Sequence, residues 1–172
     1  MSGATYINAL SAAVSVGGAA LTWRNARGAK LHTGFELART LYETLVSPQM
    51  SGARDALEFY RRAQDRDLAR TEAVLASYFA VLWCFEGILI GRRSLVGQRR
   101  LNGTGAAVAY LDEAIGWHLR LWAERWPEVR GQVKEHIIDL EDQHSLGSFV
   151  ELAGVVLGET PEVRALRVQL TS

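Results

Sequence analysis

Ala73 to Ile90 read AVLASYFAVLWCFEGILI, and only Ser77, Glu86 and Gly87 interrupt an otherwise apolar run. Arg70 and Glu72 bound it on one side, Arg92 and Arg93 on the other. A helix this apolar has no polar face to turn to water, so the sequence predicts one buried in protein or in lipid. Its length also suits a membrane span. Two features favour protein. Glu86 would stand well inside the hydrocarbon, where a carboxylate costs about 2.5–3.5 kcal/mol even on insertion scales. Arginines at both ends leave no charge asymmetry to orient a span. The run is therefore read as the buried middle helix of a bundle, with a second span as the alternative.

Working outward, the helical signals continue on both sides. Thr33-Gly-Phe-Glu36 has capping-box spacing, and Phe35, Leu37, Ala38, Leu41, Tyr42, Leu45 and Val46 follow on one helical face. Ser47-Pro48 is expected to stop that helix, and Ser51 to cap the next. The next segment has a narrow apolar stripe (Ala53, Ala56, Leu57, Tyr60, Ala63) and a face of mixed charge that reads as solvated. Beyond the central run, Ser94 to Gly105 reads as a connection. Ala106 to Arg125 has helical periodicity, and Trp126-Pro127 is expected to break it. Val129, Val133, Ile137 and Leu140 continue the stripe, and Leu146 to Leu157 forms a shorter helix closed by Gly158. Thr160-Pro161-Glu162 then announces a last amphipathic segment. Strand signals are nearly absent, so the fold class is all-α.

The N-terminal part differs in kind. Ala4 to Trp23 carries no charge over twenty residues, enough to cross a hydrocarbon core of about 30 Å. Tyr6 and Trp23 sit near its ends, where aromatic rings favour the interface, and Arg24, Arg27 and Lys30 follow at once. A secretory signal has the reverse charge order. The positive-inside bias places the remaining chain in the cytoplasm. The alternative is a soluble packed helix, since the run is rich in Ala, Ser and Gly. The division is thus an anchor helix with basic flank over 1–30 and a helical bundle domain over 31–172.

The 172 residues carry 19 basic and 19 acidic side chains, which removes bulk electrostatics as an argument for nucleic acid. Lys30 and Lys134 are the only lysines, a bias read as that of a GC-rich bacterial source. The single cysteine, Cys84, lies in the apolar run and reads as a small hydrophobe, with no disulfide framework and no nucleophile context. Glu86 is the most informative residue. It is either a structural acid paired across helices or a ligand-binding acid in a cavity, where Trp117, His118 and Trp122 are the companions to consider. Large aromatics at helical spacing are first of all core. Arg92, Arg93, Arg99 and Arg100 form the densest basic patch, a solvated loop or a contact for anionic headgroups. Glu141-Asp-Gln-His144 has the spacing of a carboxylate-bridged metal motif, but one copy does not make a site, so no metal and no cofactor are expected.

Leu41-Tyr42, Ser47-Pro48, Phe85-Glu86, Trp122, Trp126-Pro127, Arg130 and Phe149-Val150-Glu151-Leu152 follow an N-terminal apolar segment in this order. The layout resembles a bacterial group of short helical proteins, usually membrane-tethered, known as a domain of unknown function. The resemblance covers most of residues 35–155 and implies architecture and location, not chemistry. The expected function is a non-enzymatic, membrane-associated interaction module, self-associating or binding a helical partner. Its expected location is the bacterial inner membrane by a single span, with the cytoplasm as alternative. A helical sensor with a small ligand near Glu86 is the second reading, and a metal-dependent enzyme the third.

Overall fold

The computed structural model describes residues 31–65, 67–98 and 103–171, and among these six helices and no strand occur. Residues 31–46 form α1. Pro48–Arg62 form α2, Leu68–Gly97 α3, Gly105–Lys134 α4, Gln143–Leu157 α5 and Pro161–Val168 α6. The expected anchor residues Tyr6, Trp23, Arg24, Arg27 and Lys30, with Arg99 and Arg100 of the basic patch, lie outside the described residues.

Local signals place several of these boundaries. Thr160 caps α6 by accepting a hydrogen bond from the Val163 amide, with Pro161 in the first turn, as the sequence predicts. Gly158 ends α5 at a φ of 74°, a conformation any Cβ would strain. Four expectations are corrected. Thr33 lies inside α1, not at its cap. Ser47, not Ser51, caps α2, because proline is suited to the first helical position and Pro48 starts the helix as readily as it stops the one before. The connection expected from Ser94 begins later, since α3 runs on to Gly97. Pro127 does not break α4, which continues for two more turns. A proline inside a helix removes one hydrogen bond and costs about 3 kcal/mol. That cost is offset here because Trp122, Trp126, Val129 and Val133, on both sides of it, are all buried on one face.

α3 packs on α2, α4 and α5, and α4 on α2, α5 and α6. α1 lies against the C-terminal half of α3, where Gly34 sits beside Leu95 and Gly91 beside Leu41. As α1 advances from 34 to 41 its neighbours on α3 recede from 95 to 91, so the two helices run antiparallel. Buried aromatic rings tie the layers together. Phe85 of α3 stacks on Phe149 of α5 at 4.5 Å, Phe149 meets Trp126 of α4 edge-on at 5.6 Å, and Trp126 touches Tyr78 and Trp122.

The apolar run itself departs from the expectation of burial on every side. Val74, Tyr78, Val81, Leu82, Phe85, Ile88 and Leu89 are buried, but Trp83 is 62 % and Ile90 59 % exposed. Four neighbouring helices cover only part of the circumference. Ala76, Trp83, Gly87 and Ile90, with half-buried Phe79 and Ala80, recur at helical spacing and leave a bare apolar stripe about 20 Å long.

The packing predicts opposite signs for one substitution at two glycines. A Cβ at Gly91 would come within 2.5 Å of Leu41 Cδ1, whereas one at Gly116 would meet nothing within 4 Å. Gly116→Ala is expected to raise the unfolding free energy by about 0.5–1 kcal/mol, the helix-propensity gain alone. Gly91→Ala is expected to be destabilising by about 1 kcal/mol after the same gain, because Leu41 must move. Urea unfolding of both variants checks this, and a stabilised Gly91→Ala would refute the close approach of α1.

Candidate functional site

Glu86 lies at the edge of the stripe on α3. Its Oε1 is 3.0 Å from His144 Nε2, and its Oε2 accepts a 2.7 Å hydrogen bond from Ser145 Oγ. Both partners belong to the first turn of α5, where the unsatisfied amides favour a nearby anion. The carboxylate is thus held across two helices, by a histidine and a serine. His144 is committed to Glu86 while Glu141 stands before α5 begins. Among the described residues no group of three or more His, Cys, Asp or Glu side chains is placed to hold a metal ion.

The companions considered for Glu86 are in separate surroundings. Trp122 is buried against Trp126 in the core. Trp117 is 66 % exposed on α4, edge-on to His118. His118 Nδ1 lies 3.1 Å from Arg54 Nη1 of α2. Burial, reinforced by the Arg54 charge, pushes the His118 imidazole below its ordinary value, so a neutral ring accepts from the guanidinium. A hollow of about 270 Å³ between α2 and α3, walled by Phe59, Tyr60, Ala63, Arg70 and Val74, does not include Glu86 among its walls. Cys84 is buried, and burial pushes its thiol up to about 11, so it stays protonated at neutral pH.

The described part of the basic patch is paired. Arg92 makes a two-pronged bond to Asp112 of α4 at 2.7 and 2.8 Å, and Arg93 pairs with Glu151 of α5. These arginines tie α3 to its neighbours, which reduces their pull on anionic headgroups.

Two ionic clusters lay beyond the reach of sequence reading. The first is buried. Arg130 of α4 donates to both oxygens of Asp142, at 2.9 and 3.1 Å, and Tyr78 of α3 donates to Asp142 Oδ2. Arg130 and Asp142 are each about 1 % exposed. Burial, then the hydrogen bond to Asp142, pushes the Tyr78 phenol well above its usual range, so the hydroxyl remains a donor at any physiological pH. No local pattern marks this pair, since Arg130 lies inside α4 and its partner stands twelve residues on, before α5.

The second cluster joins α2 to α4. Glu58 accepts from Arg61, Arg62 and Arg125, at 2.7, 2.7 and 2.8 Å, and Arg61 reaches on to Glu128. The mixed charge of α2, read as a solvated face, is therefore partly an interhelical clamp. The Arg61 hydrogen bond, followed by those of its neighbours, lowers the Glu58 carboxyl to about 2. A carboxyl lowered on folding contributes stability in full above its unfolded value and loses it as pH falls towards the folded one. Wild-type protein is therefore expected to lose stability between about pH 5 and pH 2 more steeply than Glu58→Gln. Urea midpoints across that range measure it, and parallel curves would remove the clamp from the account.

Comparison with family models, with curated proteins and with solved structures finds no match.

Proposed function

We propose that this protein is a non-enzymatic helical interaction module that works at a membrane, with its helices gathered around α3 and the bare stripe of α3 as its contact surface. One observation carries this reading. α3 is long and apolar enough to cross a membrane, yet only 44 % of its most apolar eighteen residues are buried, and the uncovered remainder presents Trp83 and Ile90. Exposed apolar patches of this kind mark membrane or protein contacts. Tryptophan in particular favours the level of the headgroups, where its ring is half in hydrocarbon. Residues 4–23 are the anchor in this reading, and copies that leave the stripe uncovered associate through it.

Density-gradient flotation of the full chain with phosphatidylethanolamine–phosphatidylglycerol vesicles tests the reading. The protein is expected to rise with the vesicles and to stay with them after a high-salt wash, since apolar contact is not screened. Protein left at the bottom of the gradient would end the membrane reading.

A further inference from the structure

We propose that the stripe of α3 is a homodimer seam, in which two copies pack α3 on α3 antiparallel about a twofold axis, with Trp83 of each on Ala80 of the other and Glu72 of each facing Arg93 of the other. The inference rests on the reading of this stripe as the contact surface, and it names what covers the stripe when no bilayer does.

The open face of α3 keeps a strict period of seven. Over residues 69–97 it advances by alternate steps of four and three residues, and every position so reached is exposed except half-buried Ala80. On the covered side Val74, Val81, Ile88 and Leu95 are buried at the same spacing. A straight helix drifts by about 20° per heptad, so a face that holds a seven-residue repeat for four heptads suits a second helix wound left-handed against it. Ala69, Ala73, Ala76 and Gly87 on this face are exposed in spite of their size. The backbone of α3 is therefore at the surface, within reach of another backbone, and not sunk between its neighbours.

Large and small residues decide the direction. A parallel pair in register would set Trp83 on Trp83 and Ile90 on Ile90, and would leave Ala73, Ala76 and Ala80 facing their own counterparts across gaps. In an antiparallel pair with Ala80 level with the other copy's Trp83, Ala73 comes level with Ile90 and Ala76 with Gly87. Each bulky side chain then has a small one opposite. The twofold axis makes every contact occur twice, as a self-complementary face requires.

Charge agrees with the same register. Glu72 and Arg93 are both exposed beside the seam, and in this alignment Glu72 of each copy faces Arg93 of the other, once at either end. Arg93 uses Nε and Nη2 on Glu151, and a guanidinium has a third nitrogen to offer. Sliding the second copy by one heptad in one direction sets Glu86 beside its own counterpart. In the other direction the slide carries Ile90 past Leu68, where α3 begins. The seam is about 40 Å long and one helix, about 10 Å, wide, so each copy contributes on the order of 400 Å², half of a standard interface. Copies therefore associate reversibly and part when a bilayer takes the face.

Cysteine cross-linking of the full chain, in a Cys84→Ala background, tests the seam. Ala76→Cys with Gly87→Cys in one chain sets two thiols about 16 Å apart along α3, whereas a disulfide needs Cα atoms within about 7 Å, so no bond forms within the chain. Gly87 has open space for the new side chain. Between antiparallel copies the two positions come level, while each single variant meets itself only in a parallel pair. Mild oxidation of lipid-free protein at about 100 μM is expected to cross-link the double variant about tenfold faster than either single variant. Glu72→Arg and Arg93→Glu lie outside the core and keep the test open should the cysteine variants fail to fold. Each is expected to weaken the dimer about tenfold in sedimentation equilibrium, and the two together to recover it to within about threefold of wild type. Losses that the exchange does not recover would overturn the register, and single cysteine variants that cross-link as fast as the double would overturn the antiparallel packing. Wild-type protein that sediments as a monomer at about 100 μM would overturn the dimer outright. Flotation separates this from the membrane reading: protein that dimerises but does not float keeps the seam and ends that reading, and protein that floats but stays monomeric does the reverse.

Discussion

Replacing Asp142 by alanine is expected to lower the unfolding free energy by about 3–5 kcal/mol, a third or more of the stability of an ordinary domain. The size follows from what the change leaves behind. Arg130 is 1 % exposed and bonds both Asp142 oxygens, so its guanidinium would stay in the core stripped of its carboxylate. Tyr78 would lose its acceptor at the same time. Breaking one half of a buried pair is costly because the surviving charge is desolvated without compensation. Removing both halves is a different matter. Arg130→Met with Asp142→Leu replaces the pair by apolar groups of similar volume and is expected to recover most of the loss. Urea unfolding of the two single variants and the double variant gives the coupling. If Asp142→Ala loses less than about 1 kcal/mol, the pair is not the buried bond described, because even exposed pairs reach that figure.

The network explains why α3, α4 and α5 meet at one fixed register. Apolar packing alone tolerates sliding, whereas a two-pronged arginine–carboxylate bond does not. Asp142 also stands directly before α5, so its carboxylate meets the positive end of that helix. Three helices thus converge on one carboxylate, and eight residues further along α3 Glu86 repeats the device with His144 and Ser145 on the surface side of α5.

Glu86 stood out in the sequence as an acid needing a partner, but neither its partners nor the Asp142 network was legible there, for a shared reason. Helices, caps and turns are set within a few residues, which is why Thr160-Pro161 and Gly158 could be placed from local chemistry. Pairings such as Arg130 with Asp142, or Glu58 with Arg125, depend on which helix comes to lie beside which. Composition is equally silent on direction in a run that is apolar all round. An amphipathic helix announces its inner face by periodicity, but Ala73 to Ile90 offers no such contrast, so exposure at Trp83 and burial at Tyr78 could not be told apart. Pro127 was misread for the opposite reason: a strong local signal was overridden by burial on the same helix face. The tryptophans divided in the same way, with Trp122 and Trp126 in the core and Trp117 outside.

Trp83→Glu is expected to weaken vesicle partitioning of the full chain by about a hundredfold while leaving its unfolding free energy within about 0.5 kcal/mol of wild type. Two contributions make up the loss. An indole ring moved from water into the interface is worth roughly 2 kcal/mol, the lower part of the range for a large apolar side chain. A carboxylate held at an anionic surface is repelled by about 1 kcal/mol. Together these approach 3 kcal/mol, and each 1.4 kcal/mol is tenfold. Stability is spared because Trp83 is largely outside the core, its ring contact being with Phe79 on the same helix. Trp117→Glu is the matched control. That ring is equally exposed, but it belongs to α4 and not to the stripe, so partitioning is expected to stay unchanged. Flotation across a range of lipid concentrations gives both partition coefficients, and denaturant unfolding confirms that each variant is folded. If the two variants lose partitioning equally, exposed aromatic surface in general would account for membrane contact, and the stripe of α3 would have no special part in it.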